Sequence, residues 1–391
     1  MGTPLEALPS VTVESIHTLL STLTLPPISN IEILSTKAEY HVIALIEFQD
    51  QSQEDLILRV AGSHVPKLKT ENEVIVIKWV QANTTIPVPS VVRYDTTTAN
   101  PLGCEYILQQ KLPGQSLDQV WSSLAEDGKI GVLDFAADFL LELTKIEWDQ
   151  IGSLVCAEDD FSPTGSILDE RFWEQRDIDK FWPSELSEIT DTLNPLGPYP
   201  SYVEYSAARL EKYVHAIRQH PNLQFMRRRI GTIECFIAAV RREAILLNKG
   251  ARLCLAHRDF HMGNIMYDTT TKKVSGVLDW EFSVVLPLQQ GDVSRAFLYD
   301  MQGFEGWDDR KSDMLKTMKR RCEDRGLDDV LERFEYTSKR QREMQRVVDL
   351  LRAIVEVSPR GQREKEKADW VKECRAIMMS WLGDEWRRKH G

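Results

Sequence analysis

The hydrophobic pattern of the chain changes character near Pro113-Gly114, and that change restricts the fold more than any other feature. Before it, apolar residues come in short strand-like runs, HVIALIEF at 41–48 and DLILRVA at 55–61, with the polar QDQSQE between them reading as a hairpin turn. The proline-punctuated IPVPSVV (86–92) and EYILQQ (105–110) read as a third extended pair. After it, from GKIGVLDFAADFLLELTKI at 128–146 onward, apolar positions recur every three or four residues, the mark of amphipathic helices. The expectation is a small sheet lobe to about residue 112 and a helical lobe thereafter.

Within the first part, residues 12–24 form a short amphipathic segment stopped by Pro26-Pro27. TENEVIVIKWVQAN (70–83) has the β-branched content of a strand, but its length and its Thr70-x-x-Glu73 start, a capping box, favour a helix. In the second part, NPLGPYPS (194–201) is a connector, and an island of short strand-like pieces, LCLA, NIMYD and VSGVLDW, interrupts the helices at 253–280. Charge divides the chain again. Residues 310–391 hold 22 basic and 16 acidic side chains, whereas the whole chain has 48 basic, 60 acidic and a formal charge of -12. The expected units are 1–112, 113–309 and a basic helical extension at 310–391. That extension either packs on the helical lobe, the favoured reading, or binds a partner.

The acidic balance argues against general attraction to nucleic acid or to anionic lipid. The six cysteines are scattered without a CxxC pair, which points to buried thiols in a reducing compartment rather than to zinc. The start, MGTPLEALPS, lacks the basic and apolar regions of a secretory leader, and no window approaches a membrane span, so a cytoplasmic location is expected.

Chemistry concentrates in LAHRDFHMGNIMYDTTTKKVSGVLDWEF, residues 255–282. His257-x-Asp259 is followed by Asn264 five residues after the Asp and by Asp279 twenty residues after it. Phosphoryl transfer from a nucleotide needs one carboxylate near the acceptor hydroxyl and further oxygen ligands for the Mg²⁺ that bridges the phosphates. Asp259, Asn264 and Asp279 supply that set if NIMYD and VSGVLD pair across the turn TTTKK, bringing Asn264 and Asp279 side by side.

HRDFHMGNIM followed by VLDW resembles the catalytic loop and metal-binding strand of the aminoglycoside phosphotransferase and choline kinase group, within the protein kinase-like superfamily. The resemblance covers about residues 30–300. Asp279-Trp280 in place of Asp-Phe-Gly, with no Ala-Pro-Glu after it, favours the small-molecule branch over protein kinases.

It implies a two-lobed α+β kinase-like fold, with a small antiparallel-sheet N-lobe and a larger helical C-lobe. It also implies ATP and Mg²⁺ between the lobes, and a small-molecule hydroxyl acceptor. Asp259 is then the catalytic base and Asn264 and Asp279 the metal ligands. Arg59, where the family more often has Lys, meets the phosphates, and Glu73 is either its partner or only the cap with Thr70. The segment Gln109 to Leu112, Gln110 and Leu112 included, meets a purine edge. Gly291-Asp292 corresponds to a brace for the catalytic loop. The first hairpin lacks the family's glycine, leaving Ser35 and Thr36 as substitute phosphate donors.

Other residues carry two readings. His257 and His261 sit four apart, as in a zinc pair, but lack the accompanying glutamate and lie in strand-and-turn context. His257 is expected to be a scaffold and Trp280 core, whereas His261 either faces the acceptor or fills space. Asp160, Asp169, Glu170, Glu174 and Asp177, interleaved with Phe172, Trp173 and Trp182, form either a solvated face or an acidic, aromatic-walled pocket for a cationic acceptor. The glycine-free loop and Arg59 also allow a kinase-like ligand-binding protein with weak or no catalysis.

Overall fold

The structure, a computed structural model, describes residues 9–34, 40–157, 160–290, 307–327, 332–333 and 335–390. The N-terminal part is a five-stranded antiparallel sheet in the order β1-β2-β3-β5-β4, made of β1 (Ile28–Leu34), β2 (His41–Phe48), β3 (Leu56–Ala61), β4 (Val91–Asp95) and β5 (Tyr106–Gln110). Helix α1 (Val13–Ser21) covers one face, packing Ile16, Leu19 and Leu20 on Ala44, Ile46, Leu58 and Leu108. Thr12 caps this helix, its hydroxyl accepting from the Ser15 N–H while the Ser15 hydroxyl accepts from Thr12 N–H, both at 3.1 Å.

Between β3 and β4 runs α2 (Leu68–Asn83). Its Val76, Ile77, Trp79 and Val80 are buried in the core of the helical part, beside Leu133, Phe139, Leu255 and Trp280. A helix wedged between sheet and helices is apolar on more than one face, which explains why EVIVIKWV has no clean helical stripe. The helix starts at Leu68 on Lys67, whose φ is 65°, without a side-chain cap. Thr70 therefore lies inside the helix, and the expected capping box does not form.

In the helical part, α3 (Glu126–Thr144) shares the core that holds the strand island β9 (Leu253–Ala256), β10 (Ile265–Asp268), β11 (Lys273–Val277) and β12 (Val284–Pro287). Three strands precede the island, β6 (Gln115–Ser116), which extends the β10–β11 hairpin, and the pair β7 (Ser153–Ala157) and β8 (Asp160–Gly165). A second core joins α4 (Tyr202–Gln219), α5 (Ile230–Arg242), α6 (Lys339–Val357) and α7 (Glu364–His390), the last interrupted at Gly383. Phe236, Val347, Leu351 and Ile354 are fully buried there, each worth roughly 1.5–3 kcal/mol of apolar burial. The helix Trp307–Asp324 instead packs on α3, where the Arg321 guanidinium grips Asp134 through Nε at 2.9 Å and Nη2 at 2.6 Å. Among the described residues no helix is long and apolar enough to cross a membrane.

The junction of the two parts is fixed tightly. Leu112 is buried over Gly276, the Val277 N–H donates to Pro87 O at 2.9 Å, and the Ser275 hydroxyl donates to Pro113 O at 2.6 Å. Gly114 adopts φ +94°, and a Cβ there would stand 2.1 Å from Tyr267 O. Neither strain nor clash can be relieved by a flexible side chain, so Gly114→Ala should lower stability by about 2 kcal/mol or more. Urea unfolding checks this, and an unchanged midpoint would show that the junction is not so constrained.

Candidate active site

Strand β9 delivers the chain into His257-Arg258-Asp259, and the loop closes by Asp259 N–H to His257 O at 2.8 Å and His261 N–H to Asp259 O at 3.0 Å. His257 is buried. Its Nδ1 accepts from Asp259 N–H at 3.3 Å, so its Nε2 carries the proton and donates to Leu278 O at 2.8 Å. Burial holds its pKa below the ordinary value, which keeps the ring neutral. Phe139, Phe260 and Trp280 surround it. This ring is a scaffold tying the loop from His257 to Asn264 to the hairpin.

That hairpin has Ile265 opposite Val277, and Leu278 N–H donates to Asn264 O at 2.8 Å. Asn264 and Asp279 are thereby held side by side. The Asn264 amide also donates to Asp259, to Oδ2 at 3.1 Å and to the carbonyl at 3.0 Å. Asp259 is exposed, and His261 Nε2 lies 3.3 Å from its Oδ2. Gly263 N–H donates to His261 Nδ1, so Nε2 is the donor toward Asp259. Burial pushes the Asp259 carboxyl up, but contacts including the His261 hydrogen bond and the Asn264 amide outweigh it, and the carboxyl sits below its ordinary value.

Across from the hairpin, Arg59 stands in the middle of the sheet, paired with Ile43 and Ile107. Its Nη1 is 3.1 Å from Glu73 and its Nη2 donates to Asp279 Oδ1 at 2.8 Å. Glu73 is thus Arg59's partner. Three further buried groups complete the cluster and were not foreseen in the sequence. Lys69 Nζ lies 3.3 Å from Glu281, and His41 reaches both Arg59 at 3.5 Å and Glu281 at 3.9 Å. Burial first, then the charges of Arg59 and Lys69, hold His41 well below its ordinary pKa, so it is neutral. Burial and the Asp279 charge push Glu281 up, and burial pushes Glu73 up against the pull of Arg59. The open side of the cluster presents hard oxygen donors from Asp279 and Asn264. That donor set fits a divalent cation such as Mg²⁺.

The hinge narrows. Gln110 N–H donates to Ser90 O at 2.9 Å, its side-chain amide donates to Glu54 at 2.6 Å, and Lys111 N–H donates to Asp55 O at 3.0 Å. The backbone N–H of Gln110 is thus committed to the sheet, and its side-chain amide to Glu54. Leu112 sits at the junction itself. Ser35, Thr36 and Gly291-Asp292 lie outside the described residues.

The acidic region is neither a solvated face nor an open anionic pocket. Asp169 accepts from Arg258 at 2.9 Å, Glu170 from the Tyr40 hydroxyl at 2.8 Å, and Asp177 from Arg360 at 3.1 Å. Glu174 faces His64, Arg176 and the Val65 N–H. The side chain of Asp160 is outside the described set, and Trp173, Trp182 and Trp280 are buried. Segment 170–176 thus straps the helical part to residues 40 and 63–65 of the sheet part.

A small sheet and a helical body meeting at the β10–β11 hairpin, with an arginine–glutamate pair facing it, define a two-lobed protein kinase-like α+β fold. The chain matches the phosphotransferase enzyme family (APH) over residues 45–324 and belongs to it. It is similar to a subtelomeric hrmA-associated cluster protein of Aspergillus fumigatus, 23% identical over 272 residues, covering 56% of this chain and 50% of that protein. It is also similar to Clavilactone A biosynthesis cluster protein Y of Ampulloclitocybe clavipes, 29% identical over 230 residues with the same coverages, 56% and 50%. The chain spans about half the length of the curated relatives it matches. Among solved structures, the streptomycin–ATP–APH(2″)-IIa ternary complex aligns with a TM-score of 0.51 at 15% identity, covering 93% of this chain and 96% of that one. Aminoglycoside phosphotransferase APH(4)-Ia aligns with a TM-score of 0.50 at 14% identity, covering 94% and 98%.

Arg258, with φ 64°, turns its guanidinium away from Asp259 and onto Asp169 and Leu168 O. Burial raises the Asp169 carboxyl, but the Arg258 charge, the Arg171 N–H and the Arg352 charge more than reverse this and hold it well below the ordinary carboxylate range. Its ionised form is thus favoured by folding, a contribution present above the unfolded pKa of about 3.9 and lost as pH falls through the depressed folded value. Arg258→Met leaves burial dominant and should cost about 3 kcal/mol at pH 7. The penalty should shrink as pH falls toward 5, where the orphaned carboxyl takes a proton. Urea unfolding of both proteins across that range checks it, and a penalty independent of pH would contradict the assignment.

Proposed function

We propose that the chain is an ATP-dependent phosphotransferase that moves the γ-phosphate to a hydroxyl of a small molecule. The observation that carries this is the gathering of Asp259, Asn264 and Asp279 on one loop and hairpin, facing the Arg59–Glu73 pair. Asp259 takes the acceptor's hydroxyl proton and aligns its oxygen, with His261 and Asn264 fixing the carboxylate. Its depressed pKa keeps it ionised and ready to accept. Asn264 and Asp279 would hold Mg²⁺, and Arg59, oriented by Glu73, steadies the phosphates. When bound, ATP with Mg²⁺ supplies the transferable phosphoryl group and neutralises its charge. The backbone from Leu112 onward is left to meet the purine. The ATP in the aligned APH(2″)-IIa ternary complex supports ATP as donor, and the biosynthesis cluster of one relative fits a secondary-metabolite acceptor.

A second reading, a kinase-like ligand-binding protein without transfer, is favoured by one contact. Arg59 Nη2 at 2.8 Å already occupies Asp279 Oδ1, an oxygen that a metal ion would want. Incubation with ATP, Mg²⁺ and a metabolite extract separates the two, because transfer adds one phosphate to the mass of an acceptor. Asp259→Asn should lower that turnover by about 10² to 10⁴. Asp279→Asn should lower it at least as much, since charge neutralisation dominates a loose transition state. Full turnover by Asp279→Asn at ordinary Mg²⁺, or no mass gain with the wild type, would contradict the proposal.

A further inference from the structure

Strand β3, which carries Arg59, runs between two separate connections to the helical part. At its first residue lies the hinge, where Leu56 pairs with Gln110 and the Lys111 N–H donates to Asp55 O at 3.0 Å. Beyond its last residue, at 63–65, lies the strap formed by segment 170–176. The six residues of the strand span about 20 Å at roughly 3.3 Å each. Hinge and strap therefore hold the lobes at opposite ends of one strand, with Arg59 between them.

The strap is rooted firmly in the helical part. Trp173 is buried in the second core, exchanges two 2.8 Å hydrogen bonds with Asn194, and has the Arg360 guanidinium 4.2 Å from its ring centre. Its contacts with the sheet part are instead polar. The Tyr40 hydroxyl donates to Glu170 at 2.8 Å, Glu174 pairs with His64 and accepts from the Val65 N–H at 3.3 Å, and Arg176 donates to the Ser63 hydroxyl at 3.3 Å. The His64 and Glu174 side chains are 11% and 13% exposed, which shelters this pair from the screening that makes surface pairs weak. Separation of the lobes must therefore break these polar contacts and not the root.

Two features join the strap to the site. His64 stacks on Tyr40 at 4.6 Å, and both rings meet Phe282, which follows Glu281, at 5.6 Å and 6.3 Å. The loop between β3 and α2 is also strained, with Val65 at φ 43° and Lys67 at φ 65°. A β-branched residue seldom adopts that conformation, and such strain persists only where neighbours hold it. Here Glu174 holds the Val65 N–H, and Glu105 holds the Lys67 N–H at 2.6 Å. Release of Glu174 thus frees the loop that joins Arg59 on β3 to Glu73 on α2.

We propose that the strap is a latch on the interlobe cleft: nucleotide enters and leaves when residues 40 and 63–65 part from Glu170, Glu174 and Arg176 and the sheet part turns about the hinge at 111–114. The inference rests on the phosphotransferase reading for the nucleotide, and on the two-ended attachment for the latch. Opening precedes both entry and exit, so the open fraction scales both rates and leaves their ratio nearly unchanged. A strap that merely supported the site would behave differently, since its loss would speed release without speeding entry.

The test is stopped-flow binding of a fluorescent ATP analogue with Mg²⁺ to the full chain. In the Tyr40→Phe/Glu174→Gln double variant, association and dissociation should each speed up at least about tenfold, the scale of one charged hydrogen bond, while the Kd changes far less. Arg321→Gln, which breaks the pair with Asp134 on α3, should alter neither rate. Hydrogen exchange without nucleotide reads the latch by itself: amides of 62–67 and 170–176 should exchange faster in the double variant by a common factor, and those of Gln110 and Lys111 should not change. A wild type that binds no nucleotide would overturn the phosphotransferase reading and the gating of nucleotide with it, even if exchange still showed the lobes unlatching. With nucleotide bound by the wild type, unchanged release in the double variant, a weaker Kd at unchanged association, or faster exchange at the hinge as well would overturn the latch alone.

Discussion

Arg59 held between Glu73 and Asp279 is the contact on which the rest of the site depends. It joins the middle of the N-terminal sheet to α2 and to the catalytic hairpin, across 220 positions of sequence to Asp279. A buried ion pair of this kind is a weak source of net stability, because desolvation offsets most of the attraction. Removing one partner is nonetheless expensive, about 3–5 kcal/mol, since the other charge is left buried alone. The cluster therefore acts as a positioning device. It fixes α2, β3 and the hairpin in one relation, and it places a charge-rich floor where a nucleotide's phosphates would lie.

The loop from His257 to Asn264 is held by a different physics. His257 is a neutral hydrogen-bonding ring in an aromatic cage, bonded to Leu278 O on one side and Asp259 N–H on the other. Arg258, in a left-handed conformation, reaches away to the ionised Asp169. The two flanking anchors leave the Asp259 side chain exposed, with His261 and Asn264 on its carboxylate. One end of the loop is thus tied to the hairpin and the other to Asp169 at the edge of the strap.

Much of this was legible in the sequence because it is local. The strands at 41–48, 56–61 and 106–110, the helix at 126–144 and the β10–β11 hairpin all have short-range patterns, and Asn264 and Asp279 follow from that hairpin. The parts that were not legible depend on distant partners. β1 was missed because it is an edge strand whose Ser29, Asn30 and Glu32 break any alternation. The β7–β8 pair is short and polar at one end, and was absorbed into a helical reading. Thr70 and Glu73 matched a capping box, but the helix begins earlier, at Leu68, because Glu73 is drawn to Arg59 in the interior. Lys69, His41 and Glu281 carry no motif, and their meeting exists only in the fold. The acidic run at 169–177 looked like an anionic surface because its partners, Tyr40, His64, Arg258 and Arg360, lie far off in sequence.

The most direct measurement of whether this architecture serves nucleotide chemistry is isothermal titration of ATP into the full chain with and without Mg²⁺, repeated on Arg59→Met. Binding should require the metal and should weaken markedly once the guanidinium is gone, in a variant whose circular dichroism confirms that it remains folded. Metal-independent binding, or equal affinity in a folded Arg59→Met protein, would mean that the Arg59 cluster is a structural clasp and not the floor of a nucleotide site.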